Sequence, residues 1–424
     1  MHAQYAPDAP PDNSKIWALS GTLRGFYDDN YTTTPQKQSS VGFEVSPSFS
    51  LNEALQQTEI GIRYTYGLYY YQKRQDDGQN PIDQTHQFDL WLDHAFTPRW
   101  EARVSDSVIV AQEPALLANG GNVSVPTRVE GNNIANYGTI KLNTDWTRLF
   151  STTLTYNNTF YDYEQSTYTQ TPAIPIFSPA SVNPSLAGAL NLVEQTLSLN
   201  LNWLAEPETT FFIGYQFGIV NYTGNQLIAY NQPFPYISPA IPLYSDSRDN
   251  YSHYGYVGAT HTFTENLSGN ITAGVQYTTY YNDPNSSSAL GPYGSAALIY
   301  TYAQGSYAQI GVTESRNATD TVNINSNGQI TQDQESTVVY GSINHAITPK
   351  LVGTAVANYQ YSIYHDGPYD SQSANFVTTG LDLAYTFNQH LSADLGYDFS
   401  WYTTVVPGQD YTRNVIYLGV TASY

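Results

Sequence analysis

The chain has 424 residues and a formal net charge of −21, with 36 acidic side chains against 15 basic ones. Charged residues make up only 12% of it, yet mean hydropathy is −0.39; soluble globular domains carry about 25% charge, and no run of the ~18 apolar residues needed for a helical membrane span occurs. The acidic balance excludes nucleic-acid binding by phosphate neutralisation, and the absence of cysteine excludes disulfides and thiolate metal sites.

The missing charge is replaced by 39 tyrosines together with Asn, Thr, Ser, Gln and Gly, a composition suited to walls wetted on one face with aromatic rings at a membrane interface. At the start, Met1-His2-Ala3-Gln4 has no apolar core of a signal peptide, but His-Ala before Gln suits the end of a removed one. Residues 1–14 are expected to form a periplasmic N-terminal segment and residues 15–424 a single transmembrane β-barrel in the bacterial outer membrane.

The first segment sets the period: Trp17, Leu19, Gly21, Leu23, Gly25 and Tyr27 share one face, and Ser20, Thr22 and Arg24 the other. A period of two means strand. Val41, Phe43, Val45, Pro47, Phe49 and Leu51 repeat it, as do Ile60, Ile62, Tyr64, Tyr66, Leu68 and Tyr70. Such segments exceed the ~5–6 residues of globular strands and match the ~9–11 needed to cross a bilayer at a tilt. The same pattern predicts strands over 15–27, 39–51, 57–71, 84–96, 100–110, 134–146, 151–163, 195–204, 209–221, 250–263, 267–281, 292–302, 306–314, 336–347, 351–364, 374–387, 391–403 and 412–424. An even number of antiparallel strands places both ends on the periplasmic side, and the fold class is an all-β, up-and-down barrel of about eighteen strands.

The short turns repeat a phrase: His94-Ala95-Phe96-Thr97-Pro98-Arg99-Trp100, His261-Thr262-Phe263-Thr264-Glu265-Asn266-Leu267 and His345-Ala346-Ile347-Thr348-Pro349-Lys350-Leu351, with Phe387-Asn388-Gln389-His390-Leu391 as a degenerate copy. Three residues suit a tight hairpin, with the apolar neighbours at the membrane edge. The three histidines lie on separate hairpins with outward parity, which reads as interfacial anchoring, with no metal site and no cofactor expected. The long outer loops carry most of the Pro and acidic residues. Two share a phrase, Pro172-Ala173-Ile174-Pro175-Ile176-Phe177-Ser178 and Pro239-Ala240-Ile241-Pro242-Leu243-Tyr244-Ser245. Pro172, Ile174, Phe177, Pro239, Ile241 and Tyr244 are candidates either for a loop binding surface or for packing between loops. The final strand ends on the aromatic Tyr424, in the manner of the terminal strand by which the barrel-assembly machinery recognises its clients.

Parity also sorts the charges. Arg24, Arg63, Arg103, Lys141 and Arg413 point inward, beside Glu44, Glu59, Asp89, Asp93, Glu101 and Asp145, and Asp382, Asp394 and Asp398 extend the set. Closure brings the last strand beside the first, so these residues form one charged wall. The wall of strands seven to fifteen reads as mostly Asn, Gln, Ser, Thr and Tyr, for example Asn200, Asn202, Gln216, Tyr254, Tyr256, Gln276, Asn358 and Gln360. Opposed charges across a wet bore make a transverse field that orients solutes, or they neutralise one another and stiffen the wall. Asp106 breaks the alternation, because strict parity points it at lipid; a β-bulge or a location close to the interface is expected there. Nucleotide-binding glycine loops, nucleophile elbows and zinc-protease motifs do not occur, so no enzyme is read from the chain.

The stretch from Tyr256 to Tyr277, Tyr256-Val257-Gly258-Ala259-Thr260-His261-Thr262-Phe263 and onward, and the other His-x-Phe-Thr hairpins, resemble the outer-membrane β-barrel porins often encoded near exopolysaccharide loci. The resemblance is one of hairpin grammar over most of the chain. It implies an outer-membrane location and polysaccharide handling, without a mechanism to transfer. Eighteen-stranded alginate-export barrels resemble this chain in size, but their basic lumens differ from its acidic one. The expected function is passive diffusion of small hydrophilic solutes, neutral or cationic; the alternatives are exopolysaccharide export and a surface-structural barrel with an occluded lumen. The expected partners are the outer-membrane bilayer, a polar solute or polysaccharide, and a homo-oligomeric mate.

Overall fold

The structure, a computed structural model, describes residues 16–112, 123–124, 126–128, 131–171, 181–231, 240–285 and 287–424. The segment 1–14 lies outside the described residues, as do Pro172, Ile174, Phe177 and Pro239. Eighteen long strands follow one another: β1 Trp17–Asp28, β2 Ser40–Ala54, β3 Thr58–Tyr71, β4 Ile82–Thr97, β5 Trp100–Ala111, β6 Asn133–Asp145, β7 Phe150–Asp162, β8 Leu192–Glu206 and β9 Thr209–Tyr222. They continue with β10 Asn250–Thr264, β11 Leu267–Tyr280, β12 Ser288–Ala303, β13 Ser306–Asn317, β14 Asp333–Thr348, β15 Leu351–His365, β16 Ser373–Asn388, β17 Leu391–Thr404 and β18 Tyr411–Ser423. Each pairs antiparallel with its chain neighbours, and β1 closes the barrel on β18 from Ser20 opposite Ser423 to Asp28 opposite Val415. The expected order and number of strands are borne out.

Alternation explains why these segments are strands of a membrane wall. Leu23 is 60% exposed, Ile213 58% and Leu418 62%, on faces where their cross-strand neighbours are also aliphatic or aromatic. A continuous belt of such side chains is stable only against hydrocarbon. The strands run longer than expected mainly around the loop between β13 and β14. There Glu314-Ser315-Arg316-Asn317 and Asp333-Gln334-Glu335 lack apolar alternation but are held by the ladder, with Arg316 opposite Glu335.

The repeated turn phrase has a physical reading. Register slips by one residue between Ala95 and Thr97, Thr262 and Thr264, Ala346 and Thr348, and Thr386 and Asn388. Phe96, Phe263, Ile347 and Phe387 are therefore bulged residues, each about half exposed at the barrel edge. The residue after the bulge caps the turn: Thr97 Oγ1 accepts from Arg99 N at 3.2 Å, Thr348 Oγ1 from Lys350 N at 3.2 Å, and Asn388 Oδ1 from His390 N at 2.8 Å. His94 Nδ1 sits 2.8 Å from Thr58 Oγ1, His261 Nδ1 2.8 Å from Thr209 Oγ1, and His345 Nδ1 3.0 Å from Tyr302 Oη. Each histidine is thus fixed to the adjacent hairpin at the periplasmic rim.

On the inner face, aromatic rings lie flat over glycines of the facing strand. A Cβ on Gly396 would come within 2.0 Å of the Tyr417 ring, and one on Gly61 within 2.1 Å of Trp91. Only glycine permits this approach. It lets Tyr417 lie against β17 and offer its other face to the lumen.

Candidate functional site: the lumen and its loop cap

The charged wall rises from the periplasmic end in tiers. Lowest is an open vestibule where Arg103 pairs with Glu101 at 2.9 Å and Asp93 at 3.2 Å; Glu59 faces Asp93 in the ladder, Lys141 faces Arg103, and Asp145 ends β6. Arg103 is still 57% exposed, so this tier is wet and its pairs contribute little to stability. Next, Arg63 meets Asp89 at 3.1 Å, and Asp89 also accepts from Ser107 Oγ at 2.8 Å. Above it Arg24 bridges Glu44 at 3.0 Å and Asp394 at 2.9 Å, with its guanidinium 4.5 Å over the Tyr417 ring. Tyr417 donates to Asp382 at 3.2 Å and Tyr69 to Glu44 at 3.1 Å. Asp398 lies opposite Val415 on the same wall, and Arg413 closes on Asp28 at 2.6 Å. The structure thus gathers the predicted set on β1 to β6 and β16 to β18, nine carboxylates with five cations.

The opposite wall, expected to be mostly polar, also carries charges near its outer end. Among the described residues it carries Glu194 on β8, and Arg316, Asp333, Glu335 and His365 near the outer ends of β13 to β15. Arg316 pairs with Asp333 at 2.7 Å, and Tyr280 donates to the same carboxylate. Alternation along β13 and β14 would send Arg316 and Asp333 outward. The β12–β13 ladder, however, stops at Gly294 opposite Glu314, so beyond it β13, still paired with β14, meets the inner-face residues Gln276 and Tyr280 of β11. Only the lower part of this wall is neutral.

Asp106 corrects the expected bulge. β5 pairs with β6 from Trp100 to Ala111 without interruption, and with β4 the slip occurs only at the turn. No bulge turns Asp106 inward.

The bore is crossed by part of the loop between β5 and β6. Val123 N donates to Gln360 Oε1 at 2.8 Å and Gln360 Nε2 returns a bond to Val123 O at 3.0 Å. Ser124 Oγ reaches Ala318 O at 2.9 Å and Tyr411 Oη reaches Pro126 O at 2.5 Å. The segment then returns, with Arg128 N on Thr33 Oγ1 at 2.6 Å and its guanidinium on Asp83 at 2.5 Å. Gln360 on β15 stands across the barrel from β6, and the segment runs from there past Tyr411 on β18 to Thr33 and Asp83 beside β1 and β4, so it crosses the mouth and narrows it. Val123 also packs on a buried cluster of Tyr364, Ala374, Phe376, Tyr402 and Tyr411.

Other loops build a cap. Helix α1, Gln72–Asp76, places Arg74 on Asp83 at 2.7 Å. Helix α2, Leu186–Leu190, is capped by Ser185 Oγ on Gly188 N at 2.9 Å. Its Ala189 and Leu190 pack with Ile228, Ala229, Leu243, Val322 and Ile330 from two further loops. Arg248, fully buried, donates to Ala189 O at 2.8 Å, Gln332 O at 2.9 Å and Thr319 O at 3.1 Å, over the Tyr222 ring. One side chain thus ties three loops together. Of the second Pro-Ala-Ile-Pro phrase, Leu243 enters this core, while Ile241 and Tyr244 remain exposed.

Between the cap and the crossing segment lies a polar cavity of about 320 Å³, lined among others by Arg128, Asn183, Ser185, Asp320, Asn323 and Gln409. Burial pushes the Asp320 carboxyl from 3.8 up to about 6, opposed by the Thr321 hydroxyl at 3.2 Å and the field of Arg248. Because the folded value is the raised one, the proton stabilises the cap fully below about pH 3.8 and that contribution is lost as pH rises through about 6. Channel conductance is therefore expected to be larger at neutral pH than at about pH 5, and Asp320→Asn should flatten the profile; bilayer recordings across this range check it.

Sequence reasoning missed Arg248, the Val123–Gln360 pair and Tyr411, because loop contacts have no period to read. The available signal was scarcity: an arginine in an acidic loop, among only 15 basic residues in the chain.

Residues 239–424 match the family model described as "Putative beta-barrel porin 2". No curated protein matches the chain. Among solved structures, Pseudomonas aeruginosa OpdK is similar at 9% identity, covering 96% of this chain and 99% of its own, with a TM-score of 0.45. OccK9 (OpdG) of the same organism gives 11%, 96%, 98% and 0.46, and Acinetobacter baumannii OccAB4 gives 10%, 97%, 99% and 0.43. The closed eighteen-stranded antiparallel wall with its apolar outer belt is the architecture of an outer-membrane β-barrel, and the porin model matches the C-terminal part of that barrel, less than half of the chain.

Proposed function

We propose that this barrel is a passive channel for small hydrophilic solutes, neutral or cationic, whose route is narrowed by the crossing segment and the cap. The observation that carries this reading is the charge balance of the inner wall. Four of the five cations on the charged wall are already held in ion pairs, and with Asp28, the partner of Arg413, the carboxylates there outnumber them ten to five. The field along the bore is therefore negative where a solute passes. The mouth cavity of about 320 Å³ favours solutes of modest size.

Planar-bilayer recording under a salt gradient tests the reading. The native protein should conduct with a reversal potential on the cation-selective side. Changing Asp382, Asp394 and Asp398 together to Asn should lower the cation-to-anion permeability ratio several-fold. An anion-selective native channel, or a ratio untouched by the triple change, would remove the wall from the mechanism.

A further inference from the structure

Among the described residues, one polar row crosses the lipid-facing surface. Asp106 on β5 lies directly opposite Gly138 on β6, Gly138 opposite Asn158 on β7, and Asn158 opposite Gln195 on β8. Their outward direction follows from the neighbours: Ser107 sends its hydroxyl to Asp89 inside the barrel, so Asp106 faces the other way. Asn136 joins the row, its Nδ2 2.8 Å from Asp106 Oδ1, and Asn158 Nδ2 reaches Asn136 Oδ1 at 3.3 Å. The next positions in the ladder are Leu90 on one side and Ile219 on the other. Along the strands the row is framed by Val104, Val108, Ile140 and Phe160.

Depth makes this row costly. Asp106 is six residues above Trp100, which packs on Trp146 at the periplasmic rim with ring centres 5.9 Å apart. At ~3.3 Å per residue and a tilt of ~40°, it stands about 15 Å above that rim, near the middle of an apolar band ~25 Å tall. Acyl chains offer a carboxylate no donor, and headgroups do not reach this level.

We propose that the row is the contact face for a second copy of this chain. It holds an acceptor, Asp106, together with the carboxamides of Asn136, Asn158 and the exposed Gln195. Among the described residues Asp106 accepts from Asn136 alone, and a second copy meeting this row with its own would set further carboxamide donors against the carboxylate. Gly138, between Asp106 and Asn158, allows two barrel backbones to approach closely, as small residues do at contacts within membranes.

Two measurements on the full-length protein decide this. In native mass spectrometry from mild detergent the wild type should appear as an oligomer, and Asp106→Leu combined with Asn158→Leu should convert it to monomer while retaining the heat-modifiable gel shift of a folded barrel. Since the chain has no cysteine, Gly138→Cys in the otherwise native chain should cross-link copy to copy with a short bis-maleimide in intact outer membranes. That readout stands even where the double variant fails to fold. A monomeric wild type, an oligomer indifferent to the double change, or a cross-link to a different protein would each overturn the proposal.

Discussion

Replacing Arg248 by methionine is expected to open the mouth of the channel. Methionine fills much of the same volume, so the change reads the hydrogen bonds to Ala189, Gln332 and Thr319 rather than a cavity. Each buried carbonyl left without a donor costs about 1–3 kcal/mol, and three together exceed what a small apolar loop core holds in reserve. Single-channel conductance should rise several-fold, and protease added to intact cells should cut the loops around α2 while the barrel keeps its folded mobility. Unchanged conductance and resistance would mean that the cap stands on Leu190, Ile228 and Ile330 alone.

The second large effect is expected from the segment that crosses the bore. Exchanging residues 123–128 for a Gly-Ser sequence of equal length removes the paired bonds to Gln360, the contact with Tyr411 and the ion pair with Asp83. Asp83 keeps Arg74 at 2.7 Å, so no charge is stranded and the wall should remain folded. Conductance should again increase several-fold, now with loss of the size limit, measured by liposome swelling with sugars of increasing mass. If larger sugars are still excluded, the narrowing belongs to the cap instead.

The barrel was legible because a wall with lipid on one face and water on the other imposes a period of two on every strand. Leu19, Leu23 and Tyr27 against Ser20, Thr22 and Arg24 already state which side is which. The ion pairs Arg24–Glu44 and Arg63–Asp89 followed from the same parity. The narrowing did not, because Val123 meets Gln360 across 237 positions of sequence, and nothing local in either residue announces the other. Parity did not reach Arg316 and Asp333, since the readable pattern ends at residue 314 and resumes at 336, and only the ladder between β13, β14 and β15 extends the strands to them. At Asp106 parity was right, and the bulge invoked to avoid its consequence is absent.

The bulged turns at Phe96, Phe263, Ile347 and Phe387 have a consequence for how such a wall changes size. Each turn settles its own one-residue offset locally, with the capping side chain and the outward apolar residue in a single phrase. A hairpin bearing that phrase is a self-contained stave, which can be inserted or lost without disturbing the inside and outside of its neighbours. The circumference of the barrel can therefore change two strands at a time by duplication of short stretches of sequence, while the loops that narrow the opening diverge independently.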